Sequence, residues 1–213
     1  MGATNMPREA DVAPAPAAPA PSAGWMPANP APLGLTGFAT TTFVLSMINA
    51  NLVGGAALPV VLGLALAYGG LGQLLAGMWE FRTGNTFGAT AFTSYGAFWI
   101  SFFVLVQLDI VKIPSTEADS ALGLYLWAWG IFTAYMFVAS LRTTGAVAIV
   151  FLLLAATFIV LGIGNSGGNA SIIHFGGYLG LVTAAAAWYT SFAVVLNETW
   201  GRTVLPVYPL SGR

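Results

Sequence analysis

Fixed charge is what this chain has least of. Asp, Glu, Lys and Arg together make up 6% of its 213 residues, against 57% hydrophobic, whereas a soluble domain carries about a quarter charged residues. That shortage excludes a water-soluble globule and points to an integral membrane protein. Cysteine is absent, which removes disulfides, thiolate metal sites and thiol nucleophiles. Histidine occurs once, as His174. A net charge of −1 leaves no basic surface for a nucleic acid. No catalytic residue, metal or cofactor is expected, and the chain does not read as an enzyme.

The few charges mark where the chain meets water. None falls between Val12 and Trp79, Thr83 and Leu108, Ser120 and Leu141 or, with His174 neutral, Thr143 and Asn197. Each gap holds one or two crossings at roughly 20 residues apiece. The apolar stretches predict spans over Leu33 to Leu52, Gly54 to Phe81, Phe87 to Leu108, Leu122 to Leu141, Ala146 to Ile163 and Ala170 to Leu196, the second broken near its start by Pro59. The expected fold is an all-α integral membrane protein with six transmembrane helices over residues 28–206. A disordered Ala/Pro-rich tail (1–27) precedes it and a short tail (207–213) follows. The first tail has no apolar core ahead of a cleavage site, so no signal peptide is expected.

An even number of crossings places both ends on one face. Arg8, Arg82, Arg142, Arg202 and Arg213 then share that face, and Lys112 alone lies opposite. By the positive-inside bias both termini are cytoplasmic, in an inner or plasma membrane. Asp109, Lys112, Glu117 and Asp119 fall in the outer loop between the third and fourth spans.

Pro30 and Pro32 fit the approach to a helix or its first turn, where their missing N–H groups had no partner anyway. The first span therefore starts there, with free amides and a positive dipole end beside Asn29. At membrane depth such a start faces protein or a water-filled path, and we read it as an anion-facing N-terminus. Glycine pairs at helical spacing (Gly84 and Gly88, Gly164 and Gly168, Gly176 and Gly180) predict close helix packing, within one subunit or between subunits. Gly84-Asn85 opens the third span and Gly168-Asn169 the sixth, an echo that fits a 3+3 inverted repeat. Gly164-Asn165-Ser166-Gly167-Gly168 approaches a serine-protease motif and Asn169-Ala170-Ser171 a glycosylation pattern. Both fall at a turn or helix start in the membrane and are set aside.

Asn29 to Leu35, Gly84 to Gly88, Ala91 to Gly96, Ile173-His174-Phe175, Leu196-Asn197-Glu198 and Gly201 to Pro206 together resemble the acetate uptake transporter family, and its bacterial members most. The resemblance covers about Asn29 to Pro206. It implies a six-helix subunit, hexameric assembly, and movement of acetate and related small carboxylates such as succinate, with protons or through a channel. It also implies a narrow apolar constriction at Phe38, Tyr95 and Leu154. The Ala/Pro tail departs from the bacterial pattern.

An ionised carboxylate in low dielectric is costly unless hydrogen-bonded or paired, and no Arg or Lys lies mid-span. Neutral donors must then serve: Asn29 and the amides beside it, the hydroxyls of Thr40, Thr93, Ser94 and Tyr95, and the stretch Gly84, Asn85, Thr86 to Gly88. Weak neutral sites suit rapid passage. For proton linkage the candidates are His174, Glu80, Glu198 and Asp109. Glu80 and Glu198 have an alternative role in helix-end pairs with Arg82 and Arg202, and Asp109 in a pair with Lys112. Two other functions stay open at this point: a channel for a neutral solute such as urea or an amide, and a membrane acetate sensor signalling through its tail.

Overall fold

The structure is a computed structural model that describes residues 24–107 and 115–210. The tail before Gly24, the outer-loop pair Asp109 and Lys112, and Arg213 lie outside the described residues. Six helices are long and apolar enough to cross a membrane. We number them α1 (Ala31–Asn49), α2 (Gly55–Thr83), α3 (Thr86–Gln107), α4 (Ser115–Ser140), α5 (Gly145–Ser166) and α6 (Ala170–Trp200). Each expected span lies on one of them. Among the described residues there is no strand, only an isolated bridge between Thr144 and Pro209.

The prolines act at helix starts. Pro30 is the N-cap of α1 and Pro32 sits in its first turn. Pro59 does not break α2 as expected: it stands where the opening 3-10 turn, Gly55–Ala57, passes into α-helix, a place with no N–H to lose. The irregularity of α2 comes later, as a π-helical stretch at Ala67–Gly72. Two of the three glycines in that stretch, Gly69 and Gly70, let neighbouring helices reach the backbone. A Cβ on Gly69 would meet Thr41 and Trp99, and one on Gly37 would meet the Tyr68 carbonyl at 2.6 Å.

The helices form a ring in chain order, with α6 closing against α1. Small residues set most of the seams, as expected where packing rather than hydrophobicity drives association in lipid. Gly177 of α6 faces the backbone at Asn49 and Ala50, and Gly180 faces Ser46. Gly96 meets Leu74 across the α2–α3 seam, Gly123 meets Ser166 across α4–α5, and Gly164 meets Ile173 across α5–α6. The α3–α4 seam differs, being joined by side-chain hydrogen bonds: Tyr95 to Thr133 at 2.9 Å and Ser101 to Tyr125 at 2.6 Å.

Of the three glycine pairs, only Gly176 and Gly180 both pack helices, against Leu161 and Ser46. Gly84 and Gly168 instead end helices with left-handed backbones, φ 77° and 57°, which glycine adopts at no steric cost. The asparagine after each caps the next helix: Asn85 Oδ1 accepts from Gly88 N at 3.1 Å, and Asn169 Oδ1 from Ile172 N at 3.2 Å. The echo is thus one of local structure, at opposite ends of the bundle. The end of the chain is not free along its described length. Gly145 N donates to Tyr208 O at 2.6 Å and Leu210 N to Thr143 O at 2.9 Å, while Asn197 Oδ1 accepts from Val204 N and Leu205 N.

Gly177→Ala places a methyl group against the α1 backbone, and overpacking of this kind costs about 1–3 kcal/mol. The unfolding temperature of the detergent-solubilised protein should fall accordingly. Gly54→Ala, with nothing within 4 Å, should leave it unchanged.

Candidate functional site

The ring encloses two cavities that share a wall. The larger, about 310 Å³, lies at the face opposite the described termini and is lined by Phe38, Leu45, Phe98, Leu122, Phe158 and Ile173, with Thr42, Trp99 and Leu154 among others. The smaller, about 20 Å³, lies toward the termini against Phe38, Gln73, Phe92, Tyr95, Phe151 and Leu154. Phe38 and Leu154 line both. The structure therefore brings Phe38, Tyr95 and Leu154 together on the wall of the smaller cavity, the inner chamber, with Phe38 and Leu154 also facing the larger, the outer vestibule. We call this group the neck; its members are 5%, 3% and 5% exposed. The Phe38 and Tyr95 ring centroids are 5.9 Å apart.

Tyr95 is fixed on every side. Phe132, Phe151 and Trp129 lie with ring centroids 5.3, 6.1 and 6.2 Å from its own. Its hydroxyl meets Thr133 Oγ1, which also lies 2.7 Å from Trp129 O. The Tyr95 hydroxyl is thus held in the α3–α4 seam, with either oxygen able to donate.

Several other expected donors are spent on the fold. Asn29 Oδ1 caps α1 by accepting from Ala31 N at 3.0 Å, and its Nδ2 donates to Glu198 Oε1 at 2.7 Å, tying the start of α1 to the end of α6. Thr40 accepts from Trp188 Nε1 at 3.3 Å, which leaves its O–H unspent, but it lines neither cavity. Asn85 caps α3 with one end of its amide and donates to Glu80 Oε2 with the other at 2.9 Å. Thr93 faces the Gly77 backbone across the α2–α3 seam. Gly84, Thr86 and Ser94 line neither cavity.

The acidic groups sit apart from the neck. Glu80 is 2% exposed, with Thr83 and Asn85 donating to its Oε2. Arg82 does not pair with it but donates to the Trp25 carbonyl at 2.9 Å. Likewise Glu198 holds Asn29, and Arg202 lies over the Trp200 ring at 5.7 Å. His174 is half-buried near the start of α6 and lines neither cavity. Asp109 lies outside the described residues. Among the described residues no charged side chain lines either cavity, and no group of three His, Asp or Glu could hold a metal.

Three polar groups on the path escaped the sequence reading. Trp99 Nε1 and Thr42 Oγ1 are buried without a hydrogen-bond partner, and both residues line the vestibule. Gln73, 1% exposed, lines the inner chamber with an unpartnered Oε1. It is the first residue after the π-helical stretch, and such stretches recur at functional sites. The readable signal was an amide following Gly69-Gly70-Leu71-Gly72 in mid-span.

Comparison with known proteins bears on what passes here. A profile of the GPR1/FUN34/yaaH family matches residues 11–212. The chain is 47% identical over 183 residues to the succinate-acetate/proton symporter SatP of Escherichia coli (strain K12), across 84% of this chain and 95% of that protein. It is 44% identical over 195 residues to acetate permease A of Emericella nidulans, across 84% of this chain and 65% of that protein. The solved structure of the bacterial acetate channel SatP superposes with a TM-score of 0.80 at 43% identity, covering 85% of this chain and 99% of that one.

Asn85→Ala removes a donor from a buried carboxylate and a cap from α3. Leaving such a group short of a partner costs about 1–3 kcal/mol. A lower unfolding temperature than wild type is expected in detergent, without change to the neck residues.

Proposed function

We propose a function on one premise: this chain belongs to the GPR1/FUN34/yaaH family. It moves acetate and related small carboxylates, succinate among them, across the membrane through a path inside each six-helix subunit. The observation that carries this reading is the uncharged passage interrupted by Phe38, Tyr95 and Leu154. Similarity to a succinate-acetate/proton symporter and to an acetate channel supports the choice of solute.

The geometry gives a division of labour. In the vestibule, the Trp99 indole N–H and the Thr42 hydroxyl are donors with no partner among the described residues. Uncharged donors favour an arriving carboxylate without holding it tightly, which conduction requires. At the neck, two rings and a leucine leave no polar surface for a large hydrated solute. A short acid with a methyl group matches that lining.

Homohexameric assembly with both termini cytoplasmic completes the reading. Arg82, Arg142 and Arg202 all lie at the face of the termini, in accord with the positive-inside bias. The side chains of Asn29, Asn85 and Glu198 belong to that face too, and their part is to hold helix ends.

Uptake of radiolabelled acetate into proteoliposomes tests the proposal, which fails if entry is no faster than into protein-free vesicles. Leu154→Ala should open the neck and speed entry of bulkier acids such as lactate relative to acetate. Trp99→Phe keeps the ring but loses the N–H, and should raise the half-saturating acetate concentration about tenfold to hundredfold, the worth of one hydrogen bond to a charged group. An unaltered concentration would remove Trp99 from the path.

A further inference from the structure

We infer that the form of the substrate passing the inner chamber is the neutral acid, recognised by the Gln73 amide, so that the transported proton travels on the substrate. This rests on the transport reading above. It begins from the one buried amide in the passage. Gln73 is 1% exposed, its Oε1 has no hydrogen-bond partner among the described residues, and it lines the chamber together with Phe38 and Leu154.

A primary amide offers one C=O acceptor and an NH2 donor, and it offers both whichever way the amide plane is turned. A buried acceptor without a partner costs about 1–3 kcal/mol. What relieves Gln73 Oε1 must therefore bring a hydrogen. A carboxylate brings none: it satisfies the NH2 and sets two further lone pairs against the C=O. A carboxylic acid brings an O–H and a C=O on one carbon, the exact complement of the amide.

Among the described residues the chamber has no Lys, Arg or His to neutralise an anion. In the vestibule the unpartnered Trp99 Nε1–H can only donate. The path thus offers a lone N–H outside the neck and a C=O beside an NH2 inside it. A carboxylate suits the first position and an undissociated acid matches the second.

No protein side chain has to titrate for protons to accompany acetate in this scheme. His174 and Glu80 line neither cavity, which fits that economy. The chamber also gains a second class of ligand. Acetamide carries an N–H donor and a C=O in the arrangement of acetic acid, never ionises, and should use the same amide.

The test uses wild-type protein in proteoliposomes, with protein-free vesicles as reference. Acetate entry is measured at fixed acetic acid concentration with and without a valinomycin-set potassium potential, and acetamide entry by osmotic swelling. Expected are acetate entry unchanged by the potential and acetamide entry faster than in protein-free vesicles. Both should fall about tenfold in Gln73→Met, the loss of a buried hydrogen bond. Gln73→Glu should keep acetamide entry at acid pH, where its carboxyl offers O–H and C=O, and lose it as that carboxyl ionises. Should Gln73→Met not fold, the wild-type measurements still decide. Acetate entry driven by the potential, or acetamide entry no faster than through lipid, overturns the inference and leaves acetate transport standing. Absence of any protein-dependent acetate entry overturns instead the reading on which it rests.

Discussion

Backbone contact between α1 and its two neighbours is the constraint from which the passage follows. Gly37 of α1 lies on the Tyr68 carbonyl, and Gly177 of α6 lies on the backbone at Asn49 and Ala50. Each approach is possible only because a side chain is missing. Held from both sides, α1 has one direction left for its largest inward residue, and Phe38 enters the lumen. The π-helical stretch is part of the same arrangement. It brings a carbonyl toward Gly37 on one side, while a Cβ on Gly69 would strike Trp99 of α3 on another. Directly after it comes Gln73, buried at the chamber. A passage wall and its polar group are consequences of how three helices avoid one another's Cβ atoms.

Polar groups in lipid are otherwise spent on the fold. With no water to satisfy them, serine and threonine hydroxyls return to carbonyls one turn back, as Thr41 does to Gly37 O, Thr157 to Leu153 O and Thr190 to Ala186 O. Asn29, Asn85, Asn169 and Asn197 hold helix ends or the last described segment. Against that background an unpartnered polar atom carries information. Trp99 Nε1, Thr42 Oγ1 and Gln73 Oε1 are unpartnered at cavity walls. Thr93 Oγ1 and Glu80 Oε1, also unpartnered, sit at helix seams facing Gly77 and Gly88. Location divides the two sets where chemistry alone does not.

That division explains what could be read from the sequence and what could not. Charge gaps and hydropathy located all six helices, because lipid forbids exposed charge over lengths of about 20 residues whatever the tertiary arrangement. The meeting of Phe38, Tyr95 and Leu154 was legible only through resemblance, since each alone reads as packing. The donors were the weak part. Asn29 and Asn85 looked available because a sequence shows a side chain's capacity and not its partner. Glu80 looked paired with Arg82 because they are two residues apart, yet on a helix residues at that spacing point to different sides. One is buried and the other reaches Trp25. Gln73 was missed for the converse reason: nothing local says that a π-helical turn precedes it.

On the proposed reading Phe38, Tyr95 and Leu154 close the passage, so transport requires one of the three to yield, and the costs of moving them are unequal. Tyr95 is bounded by Phe38, Trp129, Phe132 and Phe151 and is bonded to Thr133. Moving it breaks a buried hydrogen bond and disturbs a seam that side-chain bonds hold together. Leu154 has no polar bond to lose. Aromatic pairs add about 0.5–1.5 kcal/mol each beyond burial, and Phe38 has one such neighbour where Tyr95 has four. The cheaper motion swings Phe38 and Leu154 away from a stationary tyrosine. The two movable walls are also the two that line both cavities, so the displacement that opens the neck joins vestibule to chamber directly.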